Sequence, residues 1–465
     1  MKKLVYSIGL AALFASCTPQ VKNEAQQPTQ LLKVSENGRF FQTEDGKPFF
    51  WLGDTGWLLF TKLDRNETEQ YLEDRKQKGF NVIQVMVLHG LGAVNLHGDS
   101  ALVNHNVATP LVTEGADFAD STQYDYWDNM DYAIDLAAEK GLYMALVPVW
   151  GNNVKDGGVS RDEASAYGQW IANRYKDRKN IIWLNGGDTM GSDSIVTWNN
   201  LGQALRANDP NHLITYHPRG RCSSSDWFNN ESWMDFHMIQ SGHRRYDQDD
   251  TERAYGQDNW RYIVDDLKLS PVRPTIDGEP SYEGIPQGLH DTLQPFWNDA
   301  DVRRYAYWSV FAGAFGYTYG HSAVMQFNKG DGPAAYGAKE NWDVAINSAG
   351  AQQMHYIKDL MLSRPYFDRV PDQSLIAEGQ NGEKYDYLVA TRGNDYAFVY
   401  SYNGRAIPVQ MGKIEGKQVV ASWFNPKNGE YTKIGSFENS GIQSFDPPGD
   451  PGDGHDYVLV LDSVK

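Results

Sequence analysis

Asn180-Ile181-Ile182-Trp183-Leu184-Asn185-Gly186-Gly187-Asp188 runs four contiguous apolar residues into a glycine pair and a carboxylate. Apolar residues without period-2 alternation suit a strand buried on both faces, as in a parallel sheet. The same texture recurs at 49–54, 81–88, 142–150, 212–217, 233–240, 273–279 and 315–320, which makes eight runs. Helix-period segments fill the gaps. Asn66 with Glu69 predicts a capping box opening a helix that stops at Gly79. Met130, Ala133, Ile134 and Ala137 put one apolar face on a helix over 128–140, ended by Gly141. Further helices are expected near 160–177, 195–208, 252–268, 298–312 and 350–362. Eight two-sided strands alternating with helices predict a (β/α)8 barrel. A doubly wound open sheet is the rival, but Gly53-Asp54-Thr55-Gly56 offers no glycine-rich phosphate turn after the first strand.

The 465 residues exceed one ordinary domain, and the texture changes near Pro365. Short alternating runs at 385–391, 396–402, 418–424 and 457–462 are separated by turns such as Arg392-Gly393-Asn394-Asp395, which predicts a β-sandwich. The expected organisation is a barrel over 31–365 and a sandwich over 366–465. With 41% hydrophobic and 22% charged residues, the chain is neither disordered nor polytopic. A formal net charge of −18 repels phosphodiester backbones, so nucleic acid is not an expected partner.

Met1-Lys2-Lys3, an apolar stretch and Ala15-Ser16-Cys17 form the pattern of a bacterial lipoprotein signal over 1–16. Cys17 is then the acylated N-terminus, residues 17–30 a polar tether, and the expected location the outer membrane of a Gram-negative bacterium, anchored through its lipid. The competing reading is an ordinary signal peptide with an incidental Cys. Cys222 is then the one remaining thiol, so no internal disulfide is possible.

In such a barrel the site collects at the carboxyl ends of the strands. Trp51, Asp54 and Trp57 follow the first run, His89 the second and Trp150 the third. Asn185 and Asp188 close the fourth, His217 and Arg219 the fifth, His237, Gln240 and His243 the sixth. Glu279 and Tyr282 follow the seventh and His321 the eighth. Asp188 and Glu279 stand on strands four and seven, which face one another across the mouth. Glycoside hydrolysis needs such a pair, one group protonating the leaving oxygen and the other stabilising or trapping the oxocarbenium-like centre. The placement is similar to that of the large clan of barrel glycosidases, which usually carry Glu where this chain has Asp188.

Arg219 and Arg221 offer guanidinium forks suited to a uronate carboxylate, unless Asp226 claims one of them. Trp57, Trp150, Trp227 and Trp308 are candidates for stacking on sugar rings. The spacing of His217, His237 and His243 matches no recognised zinc pattern, and no metal or cofactor is expected. Donors to sugar hydroxyls suit these histidines better. A long loop over 89–125, holding His89, His97 and His105, is expected to wall the cleft. Ser223-Ser224-Ser225 lacks a nucleophile elbow.

The motifs Trp51-Leu-Gly-Asp-Thr, Trp183-Leu-Asn-Gly-Gly-Asp188, Tyr216-His-Pro-Arg-Gly and Ser223-Ser-Ser-Asp-Trp227-Phe resemble glycoside hydrolase family 140, the apiosidase-like proteins. So do Trp233-Met-Asp-Phe-His237-Met-Ile-Gln240-Ser-Gly-His243, Asp277-Gly-Glu279-Pro-Ser-Tyr-Glu283 and Tyr319-Gly-His321. The resemblance spans roughly residues 30–465. It implies hydrolysis of apiose linked to galacturonic acid in rhamnogalacturonan II, a pectic oligosaccharide, with Asp188 as acid/base and Glu279 as nucleophile. The competing readings are a retaining glycosidase for another pectic sugar, such as an arabinofuranosidase, and a non-catalytic glycan-binding lipoprotein. A binding module has no need of the paired carboxylates.

Overall fold

The computed structural model describes residues 29–464; the signal segment, Cys17 and most of the tether lie outside them. The barrel strands are β1 (Trp51–Thr55), β2 (Val82–Met86), β3 (Tyr143–Val147), β4 (Ile181–Thr189), β5 (Ile214–Pro218), β6 (His237–Gln240), β7 (Thr275–Asp277) and β8 (Gly316–Tyr319). Each strand is buried along its length, apart from Asp188 at the end of β4. That is why each reads in sequence as a continuous apolar run. All eight predicted runs are strands.

Parallel ladders join β5 to β4, β3, β2, β1, β8, β7 and β6 in that order, with β8 returning onto β1 through Gly316↔Trp51 and Tyr319↔Asp54. One backbone and one side-chain bond help to close the remaining seam between β5 and β6. The Asp235 amide donates to Ile214 O at 2.8 Å, and Thr215 Oγ1 donates to Phe236 O at 2.5 Å. Cys222–Ser223 folds back and pairs antiparallel with the end of β6.

The helices that follow the strands in turn are α1 (Arg65–Gln77), α2 (Tyr126–Glu139), α3 (Arg161–Tyr175), α4 (Ile195–Asn208), α5 (Ser225–Phe228), α6 (Trp260–Asp266), α7 (Asp299–Phe311) and α8 (His355–Leu362). The cap of α1 is Asp64 with Glu67, two residues before the expected Asn66 and Glu69. Both pairs have the same spacing; Asp64 also accepts from the Glu67 amide, and Glu67 from the Asp64 amide, which satisfies two orphan donors at once. α6 is shorter than the predicted 252–268. Asp249 accepts from Thr251 and from the Gly256 amide, and these local bonds hold the preceding segment in turns. The expected 350–362 helix divides into Ala349–Gln353 and α8.

A small antiparallel sheet of Leu32–Val34, Phe41–Thr43 and Pro48–Phe49 closes the barrel floor. Phe41 packs on Trp51, Phe236 and Phe315, with ring centroids 4.1–6.4 Å apart.

The C-terminal domain contains β9 (Val370–Pro371), β10 (Val389–Arg392), β11 (Tyr396–Ser401), β12 (Ile407–Gln410), β13 (Gln418–Phe424), β14 (Tyr431–Glu438), β15 (Ile442–Phe445) and β16 (Tyr457–Ser463). A six-stranded sheet in the order β9-β10-β11-β16-β13-β14 packs against the β12-β15 pair. Its opposite face is continuous with the barrel core: Tyr307 stacks on Tyr400 at 4.8 Å and Trp260 on Tyr387 at 4.1 Å. Arg303 on α7 is buried and grips Asp456 with two bonds of 2.9 Å. Arg304 bonds Asp301 and Gln257 and lies against the rings of Tyr385 and Tyr402.

Removing one partner of a buried ion pair strands the other charge in a low-dielectric interior. Asp456→Ala leaves Arg303 with Asp299 as its remaining carboxylate and is expected to destabilise the protein by up to about 3–5 kcal/mol in denaturant unfolding. A loss under about 1 kcal/mol would show that Arg303 does not hold the domains together through this contact.

Candidate active site

A cavity of about 490 Å³ opens at the carboxyl ends of the strands. Asp188 enters it from β4 through an unusual backbone: Gly186, Gly187 and Asp188 have φ of +93°, +120° and +54° in succession. The β4–β5 ladder shifts register between Gly186 and Thr189, and such an irregularity re-aims the side chains beyond it. Glycine is required at 187, where a Cβ would sit 2.6 Å from the Trp150 ring. Asp188 projects into the open cavity, where solvent reaches it although protein walls surround it. Burial and the charge of Glu279 raise its pKa, against the opposing pull of His217 and His243.

Glu279 lies two residues beyond the end of β7. Its amide donates to Ile239 O at 3.3 Å, and Gln84 Nε2 donates to the neighbouring Gly278 O at 2.9 Å. The residue is 7% exposed, so burial opposes its ionisation. The two imidazoles prevail: His217 Nε2 is 2.9 Å from Oε2, and His243 Nε2 is 3.2 Å from Oε1. They hold the carboxyl at a pKa of about 2. His217 Nε2 lies within contact distance of Oε2 but off the line of a well-formed hydrogen bond. The Tyr282 amide donates to His243 Nδ1 at 3.3 Å, which leaves Nε2 as the protonated nitrogen facing Glu279.

Of the predicted residues, His89, Trp150, Asp188, Arg219, Gln240, His243, Glu279 and Tyr282 line the cavity. So do Trp57 and Arg221. His217 stands directly behind Glu279, its ring against those of Trp57 and Trp150. The other predicted residues lie away from the lining, those on strands for reasons of strand geometry. Alternate strand residues face opposite ways. Asp54 and Asn185 turn outward to the helices: Asp54 accepts from Tyr71 and Arg75 of α1, and Asn185 Nδ2 donates to Trp198 O of α4. Trp51 starts β1 at the barrel floor and donates to Thr318. His237 begins β6, about 10 Å below Gln240, and burial lowers its pKa to about 3. Trp227 lies on α5 and packs on Tyr216. His321 Nδ1 accepts the Ala323 amide within its own turn. Trp308 is buried near the second domain, and Arg253, not Arg219 or Arg221, takes Asp226. In the 89–125 loop, His97 packs on Phe118 and Tyr124.

Sequence reasoning missed Arg244 and Tyr336 in the lining. Arg244 is the next residue after His243, and its charge beside a strand end was a usable signal. Tyr336 (φ +54°) comes from an irregular stretch after β8 with no periodic pattern, stacks on His290, and its phenol is raised by burial and by the charges of Asp188 and Glu279.

A family model described as "Apiosidase-like, catalytic domain" matches residues 35–368, and one described as "Putative collagen-binding domain of a collagenase" matches 370–462. A solved structure named "Glycoside hydrolase" is 48% identical, with a TM-score of 0.88 over 93% of this chain and 97% of its own. A glycoside hydrolase family 5 structure from Bacteroides vulgatus ATCC 8482 is 45% identical, with a TM-score of 0.87 over 93% and 94%. A search of curated proteins finds no significant match. With a two-carboxylate cavity at the mouth of its barrel, the chain belongs to the apiosidase-like family and is a glycosidase with a carbohydrate substrate.

Proposed function

We propose that the protein removes a terminal apiosyl residue linked to galacturonic acid in rhamnogalacturonan II oligosaccharides, with retention of configuration. The observation that carries the chemistry is the divergence of two carboxyls facing one cavity. Glu279 is held ionised at about 2, while Asp188 is pushed above its usual range. Environments that drive paired acids apart assign the acid and the nucleophile. Asp188 donates its proton to the leaving oxygen as the glycosidic bond breaks, and Glu279 attacks the anomeric carbon. A water then gives its proton to Asp188 and releases the sugar from Glu279. Trp57, Trp150 and Tyr336 supply apolar walls, and the cavity's size suits one or two sugar rings. The sugar and its linkage are inferred from the family.

The proposal also places the enzyme at the outer membrane through acylated Cys17. Cys17→Ala should move the full-length protein from the detergent phase to the aqueous phase on temperature-induced separation; unchanged partitioning would reject the anchor.

Glu279→Ala should reduce turnover of an activated aryl glycoside by at least about 10³-fold, with azide restoring a product of inverted configuration. Asp188→Asn should cost about 10²–10⁴-fold on a substrate with a poor leaving group and far less on an activated one. Wild-type rates in both variants would remove the catalytic assignment. Release of apiose from a pectin panel, with the first-formed anomer followed by NMR, tests substrate and stereochemistry together.

The pH dependence follows from the same two groups. Catalysis needs Asp188 protonated, so kcat/KM should fall as pH rises through its raised pKa. The acidic limb should stay near the bottom of the accessible range because Glu279 remains ionised there. His243→Gln removes the imidazole that donates to Glu279 Oε1, raises the Glu279 pKa and should move the acidic limb upward in pH. An unmoved limb would show that His243 does not hold that charge.

A further inference from the structure

Asp277 is a third carboxyl close to the reacting pair, and the two-carboxylate chemistry leaves it without a role. It ends β7 two residues before Glu279, is wholly buried, and does not line the cavity. A buried carboxyl needs hydrogen bonds to offset its desolvation. Asp277 receives two on the same oxygen: Ser241 Oγ donates to Oδ2 at 2.6 Å, and Asn259 Nδ2 donates to it at 2.8 Å. Asn259 is itself fixed, because it also donates to Tyr305 O of α7 at 2.9 Å. Burial raises Asp277 to a pKa of about 6, against the bonds from Asn259 and Ser241 and the charge of His243.

Ser241 stands between the end of β6 and His243, whose Nε2 meets Glu279 Oε1 at 3.2 Å. Residues 241–243 belong to no helix or strand, so their position is set by what they bond. The Gly242 amide donates to Glu279 O at 3.1 Å, and His243 Nδ1 accepts from the Tyr282 amide at 3.3 Å. A Cβ on Gly242 would lie 2.5–2.6 Å from Pro280 and the Ser281 amide, so the turn sits directly on the segment after Glu279. Its other bonds to that segment are 3.1–3.3 Å long, whereas the hydroxyl–carboxyl bond from Ser241 to Asp277 is 2.6 Å. Hydrogen bonds to an ionised acceptor are the short and strong ones. This bond ties the turn to β7, the strand that also leads into Glu279. One strand end thereby holds both members of the His243–Glu279 contact.

We propose that Asp277 is a positioning residue: through Ser241 it fixes the turn after β6 so that His243 Nε2 meets the Glu279 carboxylate. Neither Asp277 nor Ser241 lines the cavity, and both act through His243. The titratable groups around His243 are Glu279, Asp188, Asp277 and Tyr282, and those around Asp277 are His243 and the buried Tyr317. Without the latch the imidazole is free to turn or retreat, and Glu279 loses a donor that opposes the effect of its burial. The consequence for turnover rests on the two-carboxylate glycosidase reading of this cavity, whereas the latch itself is a property of the fold.

Ser241→Ala is the variant of choice, because it cuts the latch and leaves Asp277 its bond from Asn259. With an aryl glycoside it should lower kcat about 10-fold while KM changes by less than about twofold. It should also move the acidic limb of kcat/KM upward in pH, in the direction expected for His243→Gln. Asp277→Asn keeps an oxygen for both donors and should retain part of the rate that Asp277→Ala loses. In a His243→Gln background, Ser241→Ala should add no further movement of the limb, whereas an unrelated loss of stability would add to it. Nitrogen NMR of the histidine rings reads the same contact without turnover, the His243 signals being identified by their loss in His243→Gln. Wild type should show the Nε2-protonated tautomer, and Ser241→Ala a mixture with the Nδ1-protonated form. A His243 tautomer unchanged in Ser241→Ala would overturn the proposal. So would an unmoved limb, or a full additional shift in the His243→Gln background, in an enzyme whose turnover depends on Glu279. A failed catalytic assignment shows separately, as unaltered turnover in Glu279→Ala, and the tautomer then judges the latch alone.

Discussion

The chemistry depends on keeping one carboxylate charged in a place that disfavours charge. Glu279 is almost wholly enclosed, and burial alone drives a carboxyl towards its neutral form. Two imidazoles from different strand ends reverse that tendency. His217 comes from β5, and His243 from the turn after β6, where the Tyr282 amide sets its tautomer. Once Glu279 is anionic, its charge works on Asp188 in the opposite sense and favours the protonated acid. One electrostatic arrangement therefore prepares both roles. No single strand can supply it; the barrel must bring β4, β5, β6 and β7 to one rim.

The second domain contributes to that rim from a distance. Arg304 on α7 joins Gln257 to the rings of Tyr385 and Tyr402, and Tyr385 also donates to Gln257. Gln257 belongs to the irregular segment between β6 and α6, whose earlier part carries Arg244 and Arg245. Tyr246 in the same segment packs on Tyr385 at 6.0 Å and donates to Asp258 at 2.6 Å. The sandwich is thus a brace for one wall of the cavity. Its continuous core with the barrel makes the two bodies a single packed unit.

How much was legible before folding depends on the kind of signal. All eight barrel strands could be read because two-sided burial writes itself as uninterrupted apolar residues. In the sandwich, β9, β12, β14 and β15 fall outside the predicted runs; Tyr431–Glu438, for one, is mostly exposed and leaves no apolar pattern. The α1 cap was displaced by two residues because Asn66/Glu69 and Asp64/Glu67 share one spacing. The choice between them lies in backbone geometry. Asp54 and Asn185 were misplaced for a related reason. A polar residue near a strand end looks the same in sequence whether it faces the barrel axis or the surrounding helices.

The sequence by itself determined the barrel, the appended sandwich and the candidacy of Asp188 and Glu279, because periodicity and strand-end position are local properties of the chain. Tertiary structure decided which neighbours those carboxylates meet. It set His217 and His243 against Glu279, turned Asp54 and Asn185 away to support helices, sent Trp51 to the floor, and brought Arg244 and Tyr336 to the rim. Those outcomes rest on strand register, on which face of each strand turns inward, and on a left-handed turn at Gly186-Gly187-Asp188. Each arises only when the sheet closes on itself.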